Sequence, residues 1–216
     1  MRVHAKHGKY QQRIVNAFTL VAIVAICSVL VQCNDDDAIN TGTNDYYPLR
    51  EDSSWEMLSR MYSQAWDGSY DTVLFRIDGD TIINGLTYKK LFAGDLAVQL
   101  LRKDRGKYYA RDVWDGRNFS EEFLFLDEDA FVNTTWFRSS SFRYKVIAVN
   151  SIHTVNGITY ENVIEMEFSR LDYYGKPEVS SSIYYAKGIG EIYGSFQYPL
   201  SGVYADIEKS LIKYTP

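Results

Sequence analysis

The chain reads as an all-β protein: an antiparallel meander of about nine or ten strands built from two related units and curled into a half-barrel or sandwich. Three observations carry that expectation. Between Ile158 and Phe168, Ile158, Tyr160, Asn162, Ile164, Met166 and Phe168 share one side while Thr159, Glu161, Val163, Glu165 and Glu167 share the other, the period of a strand with one wet face. The sequence Ile83-Asn84-Gly85-Leu86-Thr87-Tyr88 returns as Val155-Asn156-Gly157-Ile158-Thr159-Tyr160, and Asn-Gly between strand patterns tolerates the positive φ of a type I′ hairpin turn. Eighteen Tyr, eleven Phe and four Trp favour pleated, half-buried surfaces over helices.

Taken in order, residues 1–32 carry Arg2, Lys6, Lys9 and Arg13, no acid, and then an apolar run from Ile14 to Val31. A basic tip followed by an apolar stretch is the layout of an export signal, because the tip stays with the anionic inner leaflet while the run enters hydrocarbon. The run is also close to the ~18 residues of a marginal span, so an uncleaved inner-membrane anchor with a periplasmic domain is the competing reading. Residues 33–45 read as an acidic, flexible tether. Residues 46–216 are expected to form one domain with a single core.

Within that domain, Ser53 to Trp66 fits two patterns. Trp55, Met57 and Ser59 line one face of a strand, whereas the spacing of Trp55, Leu58, Met61, Tyr62 and Ala65 suits a short helix over 54–66; the pattern alone leaves both open, and it is the family resemblance given below that favours the strand. Val73, Phe75 and Ile77 start the first repeat unit, about 73–126. Phe142 to Val149 starts the second, about 142–200. The match between units returns at Tyr108-Tyr109-Ala110-Arg111 and Tyr184-Tyr185-Ala186-Lys187. Ile207 to Tyr214 closes the domain.

Leu30-Val31-Gln32-Cys33 followed by Asn34-Asp35-Asp36-Asp37 resembles the signal of a bacterial lipoprotein and the acidic export tag of Bacteroidota surface lipoproteins. Gln32 departs from the small residue usual before the Cys. Together with Tyr46-Tyr47-Pro48-Leu49, Trp55, the Asn-Gly hairpins and Tyr184 to Gly190, the chain is similar to a family of Bacteroidota surface lipoproteins of unknown function. Ser53-Ser54 stands where that family has Gly-Asn. The resemblance implies a curled antiparallel sheet, acylation of Cys33 (palmitate) and an outer-membrane or cell-surface location. It supplies no catalytic residue.

Composition narrows the chemistry. Residues 1–32 hold four of the 23 basic and none of the 28 acidic side chains, leaving 19 against 28, a net charge of −9, which repels nucleic acid. Cys27 and Cys33 both precede the domain, so it has no thiol for a disulfide, a nucleophile or a metal. His153 is its one histidine, with no Gly-x-Ser-x-Gly elbow and no second metal-binding His beside it, so no metal and no cofactor are expected. Glu121, Glu122, Asp127, Glu128 and Asp129 supply acids for a glycoside hydrolase, or a charged turn. Arg102, Lys103, Arg105 and Lys107 read as an anion contact or as charges that keep a sheet edge soluble.

Rings near turns are the strongest binding signal: Trp66, Trp114, Tyr173 and Tyr174 as first candidates, with Tyr193 and Tyr198, since exposed rings stack on sugar faces. The expected function is a non-catalytic binding or accessory module for a glycan or peptide. The alternatives are a half-barrel carrier of a lipid or other apolar ligand, and a carboxylate-based hydrolase. An apolar cavity would mark the carrier, and two facing acids in a cleft the hydrolase.

Overall fold

A computed structural model describes residues 44–63, 66–114, 118–200 and 203–216. The export signal, Cys33 and most of the tether lie outside the described residues, as do the side chains of Trp66, Trp114 and Tyr198. The domain is all-β. Among the described residues there are thirteen strands: β1 (Ser54–Ser63), β2 (Trp66–Ile83), β3 (Leu86–Ala93), β4 (Leu96–Asp104), β5 (Lys107–Trp114), β6 (Asn118–Phe119), β7 (Phe123–Asp127), β8 (Thr135–Ser139), β9 (Phe142–Val155), β10 (Ile158–Leu171), β11 (Pro177–Ala186), β12 (Gly190–Leu200) and β13 (Val203–Thr215). The count exceeds nine or ten partly because β6 and β8 are too short to leave a legible period. The helix considered over 54–66 is absent: Trp55 and Met57 are fully buried and point inward from β1, with Glu56 and Leu58 only partly buried between them.

All the strands join one antiparallel sheet in the order β6-β5-β4-β3-β2-β1-β13-β12-β11-β10-β9-β8, with β7 also paired to β5. β1 and β13 sit side by side in the middle of that order, so the start and end of the domain zip together and each half meanders outward from them. The sheet curls until β7 and β8, from its opposite ends, meet. Side chains bridge this seam. The Trp136 indole N–H donates to the Leu124 carbonyl at 2.9 Å. Arg138 pairs with Asp112 and lies 4.1 Å from the Phe123 ring centroid. A nearly closed sheet leaves few ladder groups unpaired, the hazard that open β-sheets carry at their edges.

Rings fill the interior. The chain enters through Tyr46-Tyr47, and the Tyr47 ring packs against those of Trp55, Tyr108, Phe125 and Tyr185 with centroids 5.6–6.4 Å apart. Trp55 stacks on Tyr214 and donates its N–H to the Ile189 carbonyl at 3.0 Å. The backbone locks this entry in place: Gly188 N–H donates to Asp45 O at 2.7 Å and Tyr46 N–H to Glu128 Oε1 at 2.7 Å. Burying a large aromatic side chain stabilises by roughly 1.5–3 kcal/mol, so this cluster accounts for much of the hydrophobic drive.

Both Asn-Gly turns take the expected conformation, with φ of 52° and 79° at Asn84-Gly85 and 51° and 83° at Asn156-Gly157. The parallel between the two Tyr-Tyr pairs holds only in sequence. Tyr108 is the inward ring of the first pair, whereas Tyr185 is the inward ring of the second and Tyr184 lies on the outer wall.

Candidate functional site

β9 and β10 form the most distorted hairpin of the sheet. Their register slips between Tyr160 and Met166, and Asn150 and Asn162 take positive φ of 51° and 54°. Extra residues in one strand bend it and increase its twist. The hairpin tip therefore leaves the sheet and crosses the outer wall over β11, β12 and β13. His153 stacks on Tyr184 of β11 with centroids 3.9 Å apart and lies 6.1 Å from Tyr193 of β12. Asn156 donates from Nδ2 to Ser210 Oγ at 3.2 Å and to the Leu211 carbonyl at 2.8 Å, next to the point where the β1–β13 register slips.

Between this tip and the wall lies a groove of about 300 Å³, at the lower end of the range of small-molecule sites. Leu58, Arg60, Tyr70, Tyr193, Glu208 and Ser210 form its floor and far side. Strand alternation puts them there. Met57, Lys209 and Leu211 are buried, so Leu58, Ser210 and Glu208 between them point outward. Tyr70 is 62% exposed. The Arg60 guanidinium lies 4.7 Å from the Tyr62 ring centroid and 5.4 Å from that of Tyr70. Tyr62 donates its hydroxyl to Glu208 Oε1 at 3.0 Å, and Tyr184 donates to Glu165 Oε1 at 3.2 Å.

Electrostatics keep the phenols protonated. Burial and then Glu208 push Tyr62 up to about 12. Burial, reinforced by Glu208, raises Tyr193, and burial with Glu165 raises Tyr184. Burial lowers His153, against a smaller opposing pull from Glu165, so the imidazole is neutral at physiological pH. The groove thus presents aromatic faces, neutral donors, a carboxylate and a guanidinium.

The sequence candidates divide. Tyr193 and His153 both line the groove. Tyr173 and Tyr174 are 97% and 82% exposed at the β10–β11 turn, where Asp172 Oδ1 accepts from the N–H groups of Tyr174 and Lys176. That turn is at the end of β10 opposite the β9–β10 tip, so these two rings are not part of the groove. The backbone of Trp66 and Trp114 is in β2 and β5, but their side chains lie outside the description. Arg60, Tyr70 and Glu208 had no motif to mark them, and Asn156 was marked only as a turn residue; Asn150 and Asn162, interrupting strand patterns, were the available signal for the bend that creates the site.

The other charged clusters are tied up internally. Arg102 grips Glu122 with two hydrogen bonds of 2.7 and 2.6 Å, Lys103 holds Asp45 at 2.6 Å and Glu128 at 2.8 Å, and Lys107 pairs with Asp127. Burial pushes Glu122 up, but the Arg102 and Tyr88 hydrogen bonds outweigh it and its carboxyl stays below the usual range. Only Arg105 of the basic group is openly exposed, with 93% of its side-chain surface free. No cluster of metal-binding side chains occurs among the described residues. Inside the sheet, Gln99, Arg138, Tyr144 and Glu191 line a cavity of about 40 Å³, the scale of an ordered water.

No family model matches the chain, and no curated protein does. Among solved structures, a predicted exported protein with a YmcC-like fold from Bacteroides fragilis is 7% identical, covering 81% of this chain and 100% of its own, with a TM-score of 0.45. A predicted lipoprotein from Parabacteroides distasonis is 9% identical over 80% of this chain and 99% of its own, with a TM-score of 0.37. A DUF1329 family protein from Desulfovibrio piger is 11% identical over 76% and 84%, with a TM-score of 0.21. Among the described residues no helix is long and apolar enough to cross a membrane.

Proposed function

We propose that this chain is an envelope lipoprotein, acylated at Cys33 and held at the outer membrane or cell surface, whose outer-wall groove binds a saccharide without converting it. The observation that carries the binding reading is the groove itself: about 300 Å³, with the rings of Tyr70 and Tyr193 beside Asn156, Ser210, Glu208 and Arg60. Sugars offer an apolar ring face and a rim of hydroxyls. Aromatic faces meet the first, and mixed donors and acceptors meet the second. A peptide would use a free strand edge, and the groove offers sheet wall instead.

The alternatives find less support. A carrier of an acyl chain needs a continuous apolar space, whereas ring packing and buried polar groups occupy the interior around a 40 Å³ void. A carboxylate hydrolase needs one acid held protonated and open to substrate. Burial does raise Asp112, but it is enclosed with Arg138 and Gln99. Net charge argues against nucleic acid as a partner.

Titration of the full-length chain in detergent against a panel of oligosaccharides tests the reading. Tyr193→Ala and Tyr70→Ala are expected to weaken binding about three- to tenfold each, the equivalent of roughly 0.5–1.5 kcal/mol per ring contact. Tyr173→Ala is expected to leave it unchanged. Loss on Tyr173→Ala with Tyr193→Ala silent would move the site to the β10–β11 turn. An intact mass lacking an acyl chain at Cys33 would remove the anchor.

A further inference from the structure

Arg60 sets this groove apart. The other partly buried arginines of the described wall have polar partners: Arg102 has Glu122, Arg138 has Asp112, Arg143 has Glu167, Arg170 has Glu178, and Arg111 has the Ser120 carbonyl. Among the described residues Arg60 has no ion-pair partner; its Nε is buried without a hydrogen-bond acceptor, as are those of Arg143 and Arg170, but the guanidinium groups of those two each reach a carboxylate through another nitrogen. Glu208 faces it in the β1–β13 register but accepts from the Tyr62 hydroxyl. Among the described residues the Tyr62 and Tyr70 rings attend the guanidinium. A half-buried cation without an anion is costly. Flanking rings offset part of that cost and hold the planar fork in a fixed pose.

Resting on the saccharide reading, we infer that the groove selects an acidic sugar, a uronate whose carboxylate docks on Arg60 between Tyr62 and Tyr70. The guanidinium fork matches a carboxylate in two hydrogen bonds. Glu208, Asn156 and Ser210, on the same groove, are placed for hydroxyls. A single negative charge fits better than a phosphate dianion, because Glu208 is close by and the chain from Cys33 onward carries a net −9. No bond is made or broken, so the site is one of recognition.

The experiment uses the full-length chain in detergent with three probes: an oligouronate, the same oligosaccharide with its carboxyl groups reduced to alcohols, and a sulfated neutral oligosaccharide. The wild-type chain is expected to bind the uronate at least tenfold more tightly than the reduced form. Arg60→Met, which keeps the aliphatic stem over the rings, is expected to abolish that preference, so that uronate and reduced form bind with equal affinity. Arg60→Lys is expected to retain part of the preference. Circular dichroism melts of both variants establish that they are folded. Equal binding of uronate and reduced form by the wild type overturns the inference and leaves the saccharide groove standing. Preference for the sulfated probe alone, lost in Arg60→Met, overturns the assignment of a carboxylate. No binding of any probe overturns both the inference and the groove.

Discussion

The two Asn-Gly hairpins share a turn and little else. At Asn84-Gly85 the tip stands clear, with Ile82 71% and Leu86 43% exposed. At Asn156-Gly157 the tip folds back over three strands, hooked to β13 by the Asn156 amide. The turns have the same φ angles to within a few degrees. What differs is the ladder behind them. β2 and β3 carry one register shift, between Ile77 and Asp80, while β9 and β10 carry three in succession. A two-residue turn sets local geometry; the bulges behind it decide which wall the hairpin can reach. The groove is a product of those bulges.

Substitutions at matched positions can break this comparison. The largest difference is expected at the asparagines. Asn84→Ala loses only a residue that tolerates a left-handed backbone, about 1 kcal/mol. Asn156→Ala loses that and two hydrogen bonds to β13, about 2–3 kcal/mol together. Urea unfolding of the pair measures the gap, and equal losses would mean that the hook contributes nothing.

A smaller effect, equal on the two sides, is expected at the glycines. A Cβ added at Gly85 or Gly157 meets nothing within 4 Å, so only the positive φ resists it. Gly85→Ala and Gly157→Ala should each destabilise by about 1 kcal/mol. A markedly larger cost at Gly157 would place an additional contact at the folded tip.

The smallest effect is a pH dependence confined to the second hairpin. Burial lowers the His153 pKa in the folded state, so the unfolded chain binds the proton more readily. Stability therefore falls as pH drops from about 6.5, the unfolded value, through the lower folded one, and it does not change on this account above that window. Thermal melts of wild type and His153→Asn between pH 7.5 and 5 should diverge by a degree or two at the acid end. Parallel curves would leave His153 without a part in holding the tip down.

Much of the fold was legible because local rules are strict. The two Asn-Gly turns and the buried Trp55 follow from a period or a dihedral preference that a short window contains; the alternation expected from Ile158 to Phe168 fails at the bulge, where Val163, expected on the wet face, is buried and Asn162, expected on the buried side, is exposed. The extra strands escaped because two residues in β6 and five in β8 carry no period. The site was far less visible. Arg60, Tyr70, His153, Tyr193 and Glu208 come from five strands and meet only after β1 pairs with β13 and the second hairpin bends. Ring content singled out Tyr193, which lines the groove, together with Tyr173 and Tyr174, which lie beyond the far end of β10. Pattern reads which residues are exposed; only the register of distant strands says which exposed residues are neighbours.

The entry of the chain has a mechanical corollary. Tyr47 is wedged among four rings, and Asp45 and Tyr46 are pinned by Gly188, Lys103 and Glu128. A pull on the residues ahead of Asp45 therefore loads the centre of the barrel before it can peel any strand from the sheet. Drag on the domain would be resisted like a cork in a bottle, with the whole wall sharing the force.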